Sequence, residues 1–151
     1  MTIFCDRNYV SETSNRIDSI ECLLTIADVS EHFRLRPATV RKYVRDGQVS
    51  GHLVGREYRF SWANVWAIED GPQPRGTQQQ ERYKLPLITK TDIAASMAIS
   101  LRTVDRWIAS GMPTRNVGNN VRLNPRDSQH WLKSEFGLLA PLYPYLTDET
   151  I

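Results

Sequence analysis

The chain is poor in the residues that hold metals or staple folds: two cysteines and three histidines in 151 residues. Cys5 and Cys22 form no C-x-x-C, and His32, His52 and His130 are scattered. A zinc site or a disulfide framework needs more ligands at closer spacing, so no metal is expected and the thiols are expected to be reduced. Also missing are G-x-x-x-x-G-K-[ST], G-x-S-x-G and H-E-x-x-H, the strings that cradle a phosphate, raise a nucleophile or hold a catalytic zinc. The expectation is therefore no cofactor and no enzymatic activity. No apolar run approaches the roughly 18 residues that span a bilayer, and acidic and polar residues interrupt MTIFCDRNYVSETSNRIDSIEC before a signal peptide could form. Membrane association and export are not expected, and the expected location is cytoplasmic.

What the chain does have is a repeat. RPATVRKYVRDG at 36–47 returns as SLRTVDRWIASG at 100–111. At an offset of 64, Thr25 aligns with Thr89, Asp28 with Asp92, Val29 with Ile93, Phe33 with Met97, Val40 with Val104, Tyr43 with Trp107 and Gly47 with Gly111. After one deletion GREYRF (55–60) aligns with GNNVRL (118–123). Apolar residues meet apolar residues at helical spacing, as a duplicated core requires. Charge follows the repeat: residues 24–69 carry seven Lys/Arg against five Asp/Glu and residues 88–133 seven against three, while the flanks 1–23 and 134–151 are acidic. Positive charge gathered into the repeated units fits a phosphate-bearing partner.

Both copies parse alike. A first helix begins at Thr25 or Thr89, whose hydroxyl caps free amides while the aspartate three residues on completes a capping box. A short turn (RLR or AIS) leads to a second helix, opened by Pro37 or capped by Ser100 and closed at Gly47 or Gly111. A hairpin follows, turning at Gly55-Arg56 in HLVGREYRF and at Gly118-Asn119-Asn120 in RNVGNNVRL. A third helix, capped by Ser61 or Asn124, runs to about Glu69 or Phe136. The order predicts a mainly α fold with short β-hairpin wings (α+β), arranged as two tandem winged helix-turn-helix domains at 24–69 and 88–136. An N-terminal extension (1–23), a linker (70–87) and an apolar C-terminal tail (137–151) complete the chain.

On the second helix of copy one, the period of 3.6 leaves Ala38, Thr39, Arg41, Lys42 and Arg45 facing outward. Arg and Lys pair with guanine edges or phosphates, and Thr meets a phosphate or a thymine methyl. The matching face in copy two is Arg102, Thr103, Asp105, Arg106 and Ser110, where the aspartate can accept from cytosine N4 but is repelled by phosphate. At the hairpins, Arg56 and Arg59, and in copy two Asn119, Asn120 and Arg122, are candidates for minor-groove or backbone contacts. Against this, a basic helix face is often only solvated surface, and Arg59 or Arg122 could instead partner a nearby carboxylate. The tryptophans Trp62, Trp66, Trp107 and Trp131 are spaced for core packing rather than for stacking on bases.

The strings LLTIADVSEHFRLRPATVRKYVRDGQVSGHLVGREYRFSWANVWAIE and LITKTDIAASMAISLRTVDRWIASGMPTRNVGNNVRLNPRDSQHWL each resemble the excisionase-type branch of the MerR-like winged-helix superfamily. The shared marks are T-V-R/D-x-aromatic-I/V-x-x-G, then G-x-x-x-R-F/L and a capped helix. The resemblance implies binding of double-stranded DNA, with the second helix in the major groove and the wing over the adjacent minor groove or backbone. Members act as recombination directionality factors, as transcription regulators of mobile elements, or as DNA-recognition domains of terminase small subunits, which implies a site-specific recombinase or RNA polymerase as partner. A flexible linker of about 18 residues would span roughly 20–25 Å, letting two domains read successive grooves about 34 Å apart. The alternative is an adaptor with one DNA-binding and one protein-docking domain. In that reading the tail residues Leu138, Leu139, Leu142, Tyr143, Tyr145 and Leu146 either pack on their own domain or mediate homo-oligomerisation.

Overall fold

The computed structural model describes residues 24–146. The extension 1–23, with both cysteines, and residues 147–151 of the tail lie outside the described residues. The described chain is mainly helical, with seven α-helices and one two-stranded antiparallel sheet, an α+β composition. It divides into two compact units at Glu69/Asp70.

In the first unit, helix α1 (Ile26–Phe33) opens on the expected capping box: the Asp28 amide donates to the Thr25 hydroxyl at 3.1 Å and the Thr25 amide to the Asp28 carboxylate at 3.0 Å. Helix α2 (Pro37–Arg45) starts on Pro37, and strands β1 (His52–Val54) and β2 (Glu57–Arg59) pair around Gly55-Arg56. Gly55 takes φ 64°, the left-handed region a tight hairpin turn demands. Helix α3 (Trp62–Ile68) is capped by Ser61. Leu24, Val29, Phe33, Val40, Phe60 and Val65 are fully buried between these elements. Each large apolar side chain so buried is worth about 1.5–3 kcal/mol. Behind α3, His32 Nε2 and the Glu69 carboxylate lie 2.8 Å apart, both side chains buried.

The second unit repeats the frame with α5 (Lys90–Met97), α6 (Leu101–Ala109) and α7 (Pro125–Phe136). The match extends to single backbone bonds. Leu24 and Phe60 exchange amide bonds at 2.7 and 2.8 Å, and Ile88 and Leu123 do so at 2.9 Å. The turn between the first two helices holds Arg34 at φ 55° and Ala98 at φ 53°, the same left-handed position in both units. Past it, Leu35 and Ile99 each donate back to the carbonyl of residue 30 or 94 at 3.0 Å. The tryptophans pack as expected: Trp62 stacks on Trp66, and Trp107 meets Trp131 and Phe136.

Three expectations need correction. Residues 70–87 are not a flexible linker: they carry helix α4 (Gly76–Tyr83) and belong to the second unit. The Tyr83 hydroxyl donates to Asp127 at 2.9 Å, the Arg115 guanidinium lies 4.3 Å over the Tyr83 ring, and Asn124 Nδ2 donates to the Arg82 carbonyl at 3.0 Å. Leu87 is buried as well. Polar composition concealed this, because the segment is held by side-chain hydrogen bonds rather than an apolar stripe. The reach of a flexible tether therefore does not apply.

The second hairpin, too, is shorter than expected. It forms no strands, only a bridge between Val117 and Asn120 and one backbone bond from the Arg115 amide to the Arg122 carbonyl at 2.8 Å. Asn120 is thus a pairing residue, with its amide side chain folded back onto the Val117 carbonyl at 3.0 Å, and the turn is Gly118-Asn119 alone. The tail, finally, is divided. Leu142 and Leu146 enter the second core, where Gln129 accepts the Leu142 amide at 2.8 Å, while Leu139 is 88% exposed.

Burial, reinforced by the Asp127 charge, pushes the Tyr83 phenol up to about 12 from its ordinary 10.0. A group whose folded value is raised contributes stability that is complete below the unfolded value and is lost as pH climbs through the folded one. Tyr83→Phe should therefore be less stable than the natural chain by about 1 kcal/mol at neutral pH, the worth of one hydrogen bond. The gap should close between pH 10 and 12, as thermal melts over that range would show. A constant gap would mean that Tyr83 ionises at the same pH in the folded and the unfolded chain, so that folding does not raise its pKa.

Candidate nucleic-acid interface

The second helices carry the expected faces because their apolar residues are committed inward. Val40 and Val104 are fully buried, and Tyr43, Val44, Trp107 and Ile108 are half-buried. On α2 this leaves Ala38, Arg41, Lys42 and Arg45 exposed, with Thr39 half-buried. Among the described residues, the side chains of Arg41, Lys42 and Arg45 form no hydrogen bond or ion pair. Three neighbouring cations without an ion-pair partner repel one another, a cost that an anionic partner would relieve.

The hairpin brings further cations beside this face. A cleft of about 650 Å³ lies between the first turn of α1, the α2 face and the hairpin, bordered by Thr25, Ile26, Ala27, Arg41, Val44, Arg45, Arg56, Glu57, Tyr58 and Arg59. Arg56 is exposed and unpaired, whereas Arg59 is engaged, giving Nη2 to Glu57 at 2.7 Å and Nη1 to the Tyr58 carbonyl at 3.0 Å. Arg59 thus has the carboxylate partner that the sequence allows it, Glu57, whose own side chain is 70% exposed. An exposed pair of this kind is worth about 0–1 kcal/mol, so the guanidinium stays available to an incoming anion.

In the second unit the face is weaker. Arg102 and Arg106 are exposed and unpaired, and Thr103 is half-buried with its hydroxyl 3.1 Å from that of Ser100. Asp105 is not a free acceptor: Lys90 Nζ, from the first turn of α5, reaches its Oδ1 at 2.9 Å. At the hairpin Asn119 is exposed, Asn120 is spent on the Val117 carbonyl, and Arg122 is half-buried with Nη1 on the Val121 carbonyl at 2.8 Å. Arg122 thus places one guanidinium nitrogen on the preceding carbonyl, as Arg59 does in the first unit.

Sequence reading missed Thr25–Ala27 as a cleft wall, and it missed Lys90. The signal for Lys90 was present: two columns of the repeat change together, Ile26 to Lys90 and Arg41 to Asp105, each supplying half of an ion pair. Among the described residues no cluster of three metal-ligating side chains occurs, and no helix is long and apolar enough to cross a membrane. Compared with models of known families, with curated proteins and with solved structures, the chain finds no match.

Proposed function

We propose that the chain is a non-enzymatic, sequence-specific double-stranded DNA-binding protein built from two tandem winged helix-turn-helix units of the excisionase or MerR-like type. Its role is that of a mobile element's recombination directionality factor or transcription regulator. The observation that carries this reading is the exposed, unpaired set Arg41, Lys42 and Arg45 on a helix held by a short turn and flanked by a cationic hairpin. In that setting the second helix enters the major groove, where Arg and Lys meet guanine edges, and the wing lies against the backbone. The test is selection of bound duplexes from a random library by the full chain. The expected product is a non-palindromic motif, because the two faces differ. Repeated rounds without enrichment would remove the claim of sequence specificity.

A second reading, an adaptor whose second unit docks a protein, has its own support. Asp105 is neutralised internally, and Phe136 and Leu139 are exposed at 60% and 88%. It differs in one outcome: under it, Arg102→Ala/Arg106→Ala leaves the selected motif intact.

A further inference from the structure

The two copies of the repeat differ at the cleft residues. At the aligned positions Arg41 becomes Asp105, Arg45 becomes Ala109 and Arg56 becomes Asn119, and only Arg59 is kept, as Arg122. Ile26, which borders the first cleft beside Arg41, becomes Lys90. The two frames share their caps, their left-handed turn residues and their backbone bonds, so these substitutions fall on the same wall. In the first unit, Ile26 and Arg41 leave that wall open around four arginines and one glutamate. In the second, Lys90 and Asp105 meet across it at 2.9 Å.

We propose that the first-unit cleft seats one phosphodiester of duplex DNA, and that the second-unit counterpart is closed by Asp105, whose carboxylate, held by Lys90, takes the place of that phosphate. The inference rests on the DNA-binding reading and assigns phosphate contact at this site to one unit. The chemistry is specific to an anion. Arg45 and Arg56 approach from the helix and the hairpin with no carboxylate of their own, while the start of α1 is already occupied by its own Asp28 carboxylate, which accepts from the Thr25 amide. Glu57 opposes the anion, and Arg59, 2.7 Å from it, offsets that repulsion. The Lys90–Asp105 pair is exposed, like Arg59–Glu57, so what disfavours a phosphate in the second unit is the like charge of Asp105 together with Ala109 and Asn119 in place of Arg45 and Arg56.

The test uses the full chain and a mixed-sequence 24-base-pair duplex, with fluorescence anisotropy followed from 50 to 300 mM KCl and folding checked by thermal melting. Arg45→Ala/Arg56→Ala should weaken binding roughly five- to tenfold and lower the salt slope by about one unit, the signature of one lost phosphate contact. Arg45→Lys/Arg56→Lys should restore most of the slope. Lys90→Ile/Asp105→Arg, which gives the second unit the first unit's residues, should raise the slope by about one unit. If the natural chain binds and neither Arg45→Ala/Arg56→Ala nor Lys90→Ile/Asp105→Arg moves the slope, the seat is wrong while DNA binding stands. If no variant binds the duplex at 50 mM KCl, the DNA reading itself fails.

Discussion

Arg41→Ala/Lys42→Ala should weaken binding to a selected duplex by about ten- to a hundredfold. Each well-placed base contact is worth about 1–3 kcal/mol, and a phosphate contact adds its share of the salt-dependent term. The substitution should also blur one block of the selected motif. Both side chains are exposed and unpaired among the described residues, so their removal costs the fold little and the loss is one of contact. Arg102→Ala/Arg106→Ala should cost less and blur a different block, because the second face already carries Asp105. Equal losses from the two pairs would contradict the asymmetry. An unchanged Kd after Arg41→Ala/Lys42→Ala would remove α2 from the interface.

Glu69→Ala should destabilise the first unit by about 1–3 kcal/mol, the cost of leaving a buried polar group without its hydrogen-bond partner. His32 is 4% exposed, its Nε2 is bonded to Glu69 at 2.8 Å, and its Nδ1 has no hydrogen-bond partner among the described residues. Without the carboxylate the ring keeps two polar nitrogens in a site walled by Phe33 and Trp62, at 5.5 and 5.0 Å between ring centroids. A domain this small has only a few kcal/mol in reserve, so the loss should separate its unfolding from that of the second unit. Trp62 and Trp66 fluorescence and far-ultraviolet dichroism report that transition. Glu57→Ala, at the exposed hairpin, should leave the midpoint where it is. A Glu69→Ala midpoint within a degree of the natural one would show that the pair is dispensable.

What could be read from the sequence divides by mechanism. The caps, the Pro37 start, the glycine ends and the apolar stripes were legible because each is a local rule with its own residue type: Thr25 with Asp28, Ser100, Asn124 before Pro125. The outward positions of Arg41, Lys42 and Arg45 followed from the period alone. Four features escaped because none has a residue signature of that kind. Arg34 and Ala98 take a left-handed turn position usually given to glycine, imposed by the frame rather than by their side chains. Helix α4 is held by Tyr83, Arg82 and Arg115 reaching Asp127, Asn124 and Pro72, contacts up to 44 residues apart. Asn120 leaves the hairpin tip because its amide closes on Val117. Asp105, finally, looked like a free reader because its partner Lys90 lies 15 residues away on another helix.

The asymmetry between the copies has a physical consequence for specificity. Non-specific affinity grows with every phosphate contact, whereas discrimination grows only with base contacts. A second unit whose phosphate position is closed internally would add base discrimination to the chain with less added affinity for any DNA at all. The ratio of specific to non-specific binding would rise, which is the quantity that matters against a genome of competing sites.

The most direct test of the central claim is amide chemical-shift mapping of the full chain by NMR, titrated with a duplex recovered by selection. The largest shifts should fall on residues 38–45, on the hairpin at 55–59 and, more weakly, on 102–106. Shifts confined to 136–146, or absent from α2 at saturating duplex, would contradict it.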